Sequence, residues 1–195
     1  MGRRLIPSEG AASTGDADPS IRVWDPLVRV LHWTLVAAVA LGWATTEWFG
    51  DWHEAVGYAA LAIVGARIGW GLIGPRPARL ASFVRGPATT VRYARLALGG
   101  RAPRYLGHNP LGGWMVIALC ACIGALALTG WLYKTDRFWG DATLELIHET
   151  LAWTLVVLIA LHVIGVVFAS AHQRENLIAA MFHGRKRAPR DDDIA

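Results

Sequence analysis

Four stretches of about 20 mostly apolar residues, each long enough to cross the hydrocarbon of a bilayer as a helix, run through this chain at roughly 27–47, 53–73, 111–133 and 146–170. Inside hydrocarbon no water satisfies the backbone, so segments of this kind are restricted to helices that keep their N–H and C=O bonds internal. Composition points the same way. Of the 195 residues, 54% are hydrophobic and only 17% charged, which excludes an ordinary water-soluble enzyme. Ten tryptophans are too many for a core of this size but suit membrane–water boundaries, where the ring meets lipid and the N–H meets water.

Turn and capping signals bound the spans: Asp25-Pro26 before the first, Gly74-Pro75 after the second and Asn109-Pro110 before the third. Gly57, Gly65, Gly69, Gly124 and Gly165 either permit close helix contacts or leave space for something flat. The expected fold is all-α, an integral membrane four-helix bundle over residues 21–184. Residues 1–20, rich in Gly, Ser, Asp and Pro, lack the apolar region and cleavage site of a secretory signal and read as a disordered cytoplasmic tail, with a second polar cytoplasmic tail at 185–195. Cys120 and Cys122 are two apart in an apolar run, point in different directions on a helix, and read as small packing residues.

Lys and Arg fix the expected orientation. Arg3, Arg4 and Arg22 precede the first span. Arg76, Arg79, Arg85, Arg92, Arg95, Arg101 and Arg104 lie between the second and third, and Arg174, Arg185, Lys186, Arg187 and Arg190 follow the fourth. The other two connections offer Asp51 and no base, and Lys134 and Arg137 against Asp136 and Asp141. Both termini are therefore expected on the cytoplasmic side, and the net charge of +4 is topological, pointing to no nucleic-acid partner. The stretch TTVRYARLALGG of the long connection reads equally as a helix lying on the inner leaflet or as a solvated loop.

The chemistry-bearing residues are His32, His53, His148 and His162, since an ionisable group at membrane depth needs a partner or a cofactor. Taken one at a time, each is equally an interfacial or hydrogen-bonded histidine. Their depths are more informative. On the inferred topology His32 lies in the inner half and His53 in the outer half, while His148 and His162 lie on one helix, about 21 Å apart and within roughly 40° of the same face. His32 can then meet His162 in the inner half and His53 can meet His148 in the outer half. Two imidazole pairs at two depths, with no cysteine or carboxylate to complete a zinc or di-iron set, suit two iron porphyrins each held from both faces. With both axial positions filled, the expected chemistry is outer-sphere electron transfer.

Arg67, fourteen residues after His53 on nearly the same face, is a candidate partner for an inner haem propionate, against the plainer reading of a snorkelling arginine. Arg29 is a second candidate. His108 is a candidate donor to a quinone or a propionate, or simply a boundary residue. His172 and His183 read as solvated, with His172 also placed to border a ligand site.

The segments VRVLHW, WHEAVGYAALAIVGARIGWGLIG and, above all, HETLAWTLVVLIALH resemble the bacterial cytochrome b561 family, which includes the b-type cytochrome subunits of nickel-iron hydrogenases; the likeness covers about residues 22–187. The GHNP and GGW segments at the start of span three look more like the hydrogenase branch. The resemblance implies a multi-pass protein of the bacterial inner membrane with two haem b groups on His32, His53, His148 and His162. It further implies exchange of electrons with ubiquinone or menaquinone.

The expected function is electron transfer between the quinone pool and a periplasmic redox protein, either a c-type cytochrome or a hydrogenase-like subunit, by a lipid-embedded chain for which a homo-oligomer is left open. Whether the chain is itself an enzyme is also open. The first alternative is a self-sufficient superoxide:quinone oxidoreductase, with Lys134 and Arg137 attracting the anion. The second is a non-haem scaffold or proton-relay transporter, for which the spans offer only the boundary acids Glu47, Glu54, Glu145 and Glu149.

Overall fold

Several of the helices begin where a side chain meets the first unpaired amides. Asp25 accepts from the N–H groups of Leu27 and Val28 at 2.8 and 3.2 Å and opens α1 (Pro26–Ala44). The structure, a computed structural model, describes residues 20–46, 50–189 and 193–194; all but Ser20 of the tail expected at 1–20, the boundary acid Glu47 and Arg190 lie outside them. α1 stops at Ala44, short of the expected residue 47, with the N–H and hydroxyl of Thr45 both donating to the Leu41 carbonyl, at 3.0 and 2.8 Å. α2 (Gly50–Ile73) ends ahead of Pro75.

The long connection folds into a short 3-10 turn (Arg76–Ala78), α3 (Leu80–Phe83) and α4 (Pro87–Leu98). The TTVRYARLALGG stretch is thus helical up to Leu98. It buries Tyr93 and Ala97, one turn apart, and leaves Arg92, Arg95, Val91 and Leu98 exposed. α5 (Pro110–Tyr133) opens on Asn109, whose side chain accepts from Gly112 N–H at 2.7 Å. α6 (Ala142–Gln173) starts four residues ahead of expectation because Asp141 accepts from Leu144 N–H at 2.9 Å. Its 32 residues span about 48 Å, more than the hydrocarbon needs. α7 (Leu177–His183) follows.

Four of these helices, α1, α2, α5 and α6, are long and apolar enough to cross a membrane. Their outward faces agree: Val157, Leu161, Ile164 and Phe168 of α6 follow helical spacing and are each at least half exposed, which costs little against lipid tails. α1 packs on α2, α2 on α5, and α5 on α6. α1 and α6 stand further apart and meet through side chains, among them Trp43 and Trp153, with ring centres 5.3 Å apart. One buried layer, Ala38, Ala60, Val64, Cys122, Ile123 and Leu155, joins all four. Leu155 is seven residues from both His148 and His162, so the layer lies about 10 Å from either and divides the bundle into two halves. Gly57, Gly65, Gly69, Gly124 and Gly165 make no close helix crossing, since a Cβ on any of them would meet nothing within 4 Å. They leave space.

At the Arg-rich end, β1 (Ser20–Arg22) pairs antiparallel with β2 (Arg185–Arg187), Ile21 opposite Lys186, so the chain joins and leaves the bundle on one side. Val23, Trp24 and Ala180 form a small second core there. Residues 185–187 thus belong to a packed cap. Lys186 is 4% exposed, with its ammonium 5.7 Å over the Trp24 ring, and burial pulls it down to about 8. Arg104, 8% exposed, donates twice to Glu175, to Asp193 and to the Arg187 carbonyl at 2.9 Å.

Candidate functional site

Of the expected histidines, His53 and His148 come together on one side of the mid-bundle layer, and His32 and His162 stand on the other side of it. At the end opposite the arginines, His53 near the start of α2 and His148 in the second turn of α6 face each other with ring centres 6.3 Å apart and planes at 74°. Each ring is held through Nδ1. His53 Nδ1 lies 2.9 Å from the Gly42 carbonyl on α1, an oxygen that can only accept, so Nδ1 carries the proton. His148 Nδ1 lies 2.8 Å from Thr129 Oγ1 on α5. That hydroxyl sits 2.9 and 3.0 Å from the carbonyls of Ala125 and Leu126; its own proton goes to one of them, which leaves it to accept from His148. Both imidazoles therefore keep an unprotonated Nε2, the form that binds a metal. Gly130 lets the His148 ring lie against α5, where an added Cβ would stand 3.3 Å from Cε1.

In the other half, His32 on α1 and His162 on α6 are near enough for charge on one to act on the other. His32 packs edge-on against Trp33 at 5.0 Å, Trp33 stacks on Phe182 at 4.2 Å, and His32 Nδ1 is buried without a hydrogen-bond partner among the described residues. Arg67 reaches the same half, buried to 9% exposure, with Nη1 donating to the Ala78 carbonyl at 3.2 Å. It stands at the polar end of an apolar groove of about 420 Å³ between α2 and α5, lined by Val64, Gly65, Ile68, Cys120 and Gly124. Arg29 donates to the Phe182 carbonyl and so ties α1 to α7.

His108 sits between Trp24 and Phe83, with ring centres 4.8 and 4.4 Å away and a buried Nδ1 that has no partner among the described residues. Burial, reinforced by the charges of Arg67 and Lys186, holds its imidazole at about 3 instead of 6.5. It is neutral throughout the physiological range. Its folded value lies below its unfolded one, so this contribution to stability is complete above about 6.5 and is lost as pH falls from there toward 3. Thermal unfolding of the His108→Phe variant between pH 7 and 4 is expected to show a shallower acid decline than the parent; an equal slope would assign the decline to other groups. His172 stacks parallel on Phe168 at 6.2 Å, and His183 Nδ1 accepts the Arg185 N–H at 3.0 Å. At the opposite end Lys134 pairs with Glu54 at 3.2 Å, while the Arg137 guanidinium lies 5.4 Å over Phe138.

Thr129, Gly130 and the Gly42 carbonyl were not found by sequence reasoning. A threonine deep in an apolar span asks where its hydroxyl points, but only the packing of α5 on α6 answers with His148. No group of three or more His, Cys, Asp or Glu that could hold a metal ion by itself occurs among the described residues.

Comparison with curated proteins finds no match, and comparison with solved structures finds none either. Against protein families, residues 23–184 match the model described as prokaryotic cytochrome b561, a stretch that holds all four spans and all four histidines. The chain belongs to the prokaryotic cytochrome b561 family, the membrane b-type cytochromes of electron transfer.

Proposed function

We propose that the protein carries electrons across the bilayer between a quinone and a redox partner on the periplasmic side, with His53 and His148 holding an outer haem b and His32 and His162 an inner one. The observation that carries this reading is the outer pair. An imidazole nitrogen binds a metal at about 2.0 Å and lies about 1.1 Å from its ring centre, so rings on opposite sides of one iron have centres about 6 Å apart. His53 and His148 stand at 6.3 Å with both Nε2 atoms unprotonated. The gap between α1 and α6, and the glycines with open space beside them, leave room for a flat ring in each half. Bound in this way, haem supplies one-electron redox chemistry with no open coordination position. The protein's part is to orient, bury and charge the site.

The two halves differ in ways that set a direction. Nδ1–H bonds to Gly42 and Thr129 make the outer imidazoles stronger donors, which favours oxidised iron. His32 has no such acceptor among the described residues, and the Arg67 cation in its half favours reduced iron. With haem bound in both halves, His32 and Arg67 would make the inner site the better acceptor, which would favour electron flow from the periplasmic partner inward to ubiquinone or menaquinone. His108, flanked by two aromatic rings and with an uncommitted Nδ1, is the residue offered to a quinone head at that end.

Two potentials test this assignment. Thr129→Val removes the acceptor for His148 and is expected to raise the outer midpoint by a few tens of millivolts, since a hydrogen bond worth about 1 kcal/mol corresponds to about 40 mV for one electron. Arg67→Gln is expected to lower the inner midpoint; an unchanged value would leave Arg67 as an anchor for Ala78 alone. Of the two cations behind the superoxide alternative, Lys134 is already paired with Glu54. The decisive experiment is haem content: full-length protein purified after growth with ample haem should give two low-spin b haems per chain in a pyridine haemochrome assay. A colourless preparation would end the proposal.

A further inference from the structure

At the Arg-rich end, a pocket of about 500 Å³ opens between the Gly100–Arg104 turn, the last residues of α6 and β2. Its acids are already engaged. Glu175 accepts from Arg104 at 3.0 and 3.2 Å and from the Arg187 N–H at 2.6 Å, and Asp193 is bonded to Arg104. Arg104 is consumed by the same bonds. Arg101, Arg174 and Arg187 remain, and among the described residues no ion pair holds any of them. Among the described residues Arg187 Nε is buried with no acceptor, and Gln173 Oε1 is buried with no donor. Arg174 ends α6 at φ 50, in the left-handed region that glycine occupies without strain; an arginine there keeps a cation at the rim.

The depth of the pocket decides what anion reaches it. α6 passes beyond the hydrocarbon before it ends at Gln173. Beside it, α4 exposes Val91 and Leu98 together with Arg92 and Arg95, the mixture of a helix lying in the headgroup layer. We propose that this pocket binds the phosphodiester headgroup of an anionic phospholipid, clamped by Arg101, Arg174 and Arg187. Basic recesses at this depth select anionic lipids because each cation near the phosphate favours them and little bulk water competes. The site is separate from the histidine pairs and does not depend on haem.

Native mass spectrometry of the full chain in dodecyl maltoside tests the assignment, with titrations of dioleoylphosphatidylglycerol, dioleoylphosphatidylcholine and inorganic phosphate. The parent should retain phosphatidylglycerol in preference to phosphatidylcholine. Arg101→Gln combined with Arg174→Gln, both at exposed positions, should weaken that binding by about tenfold or more with the visible spectrum unchanged. Arg92→Gln with Arg95→Gln, on α4 outside the pocket, should leave it within about twofold. Equal binding of the two lipids, equal loss in both double variants, or displacement of the lipid by millimolar phosphate would each overturn the proposal, the last by assigning the pocket to a soluble anion. A preparation without haem would still give a readable result.

Discussion

Replacing His53 or His148 with alanine is expected to leave one low-spin haem per chain where the parent holds two, and His32→Ala or His162→Ala should do the same at the other end. The pairing predicts more than the count. On the proposed wiring both members of a pair hold one iron, so the second loss within a pair should add nothing: His53→Ala with His148→Ala should still retain one haem. His53→Ala with His162→Ala breaks both sites and retains none. The two sites should behave independently because the layer of Ala38, Ala60, Val64, Cys122, Ile123 and Leu155 separates them by about 20 Å along α6. If instead His53→Ala with His32→Ala keeps one haem, the irons are held by different partners and the proposed wiring is wrong.

Arg104→Ala is expected to cause the largest loss of stability. Arg104 joins the 100–109 segment to Glu175 after α6 and to Asp193 near the end of the chain, and donates to the carbonyl of Arg187 in β2. The side chains of Arg104, Glu175 and Asp193 are 8%, 9% and 4% exposed. Removing the guanidinium strands two buried carboxylates, a change that costs about 3–5 kcal/mol in comparable networks, or roughly 10 °C in unfolding temperature for a chain of this size. Lysine should rescue little, because one ammonium cannot serve a bidentate carboxylate, a second acid and the Arg187 carbonyl. Thermal unfolding in detergent, followed by far-UV dichroism, checks it; a shift below about 2 °C would show that the cap is not held by this residue.

The helix count and the approximate spans were legible in the sequence because each rests on a local rule: about 20 apolar residues cross a bilayer. The four histidines could be singled out in the same way, as ionisable groups at membrane depth. Helix ends were less legible. α6 begins at Ala142 because Asp141 caps it, and α1 ends at Ala44, short of the expected residue 47. The cap at the Arg-rich end was not legible at all. Residues 185–187 read as part of a polar tail, since nothing local in RKR signals that Lys186 is buried over Trp24 or that Ile21 pairs opposite it. Strand pairing across more than 160 residues is a property of the closed fold.

The glycines show the same division. Their small size was evident in the sequence, but whether Gly65 and Gly124 bring helices together or keep a groove open depended on how α2 meets α5.

What the sequence by itself determined is the solvent and the inventory: four segments that must be helices in lipid, basic connections on one side, and imidazoles placed at two depths by a rise of 1.5 Å per residue. What only the tertiary structure decided is which nitrogen of each outer histidine is free, through Gly42 on a neighbouring helix for His53 and Thr129 on another for His148, and which arginines are spent on carboxylates and which are left for a ligand. Hydrophobicity and periodicity act along one segment and can be read from it. Hydrogen bonds and charge neutralisation act between segments, and they exist only once packing has chosen the neighbours.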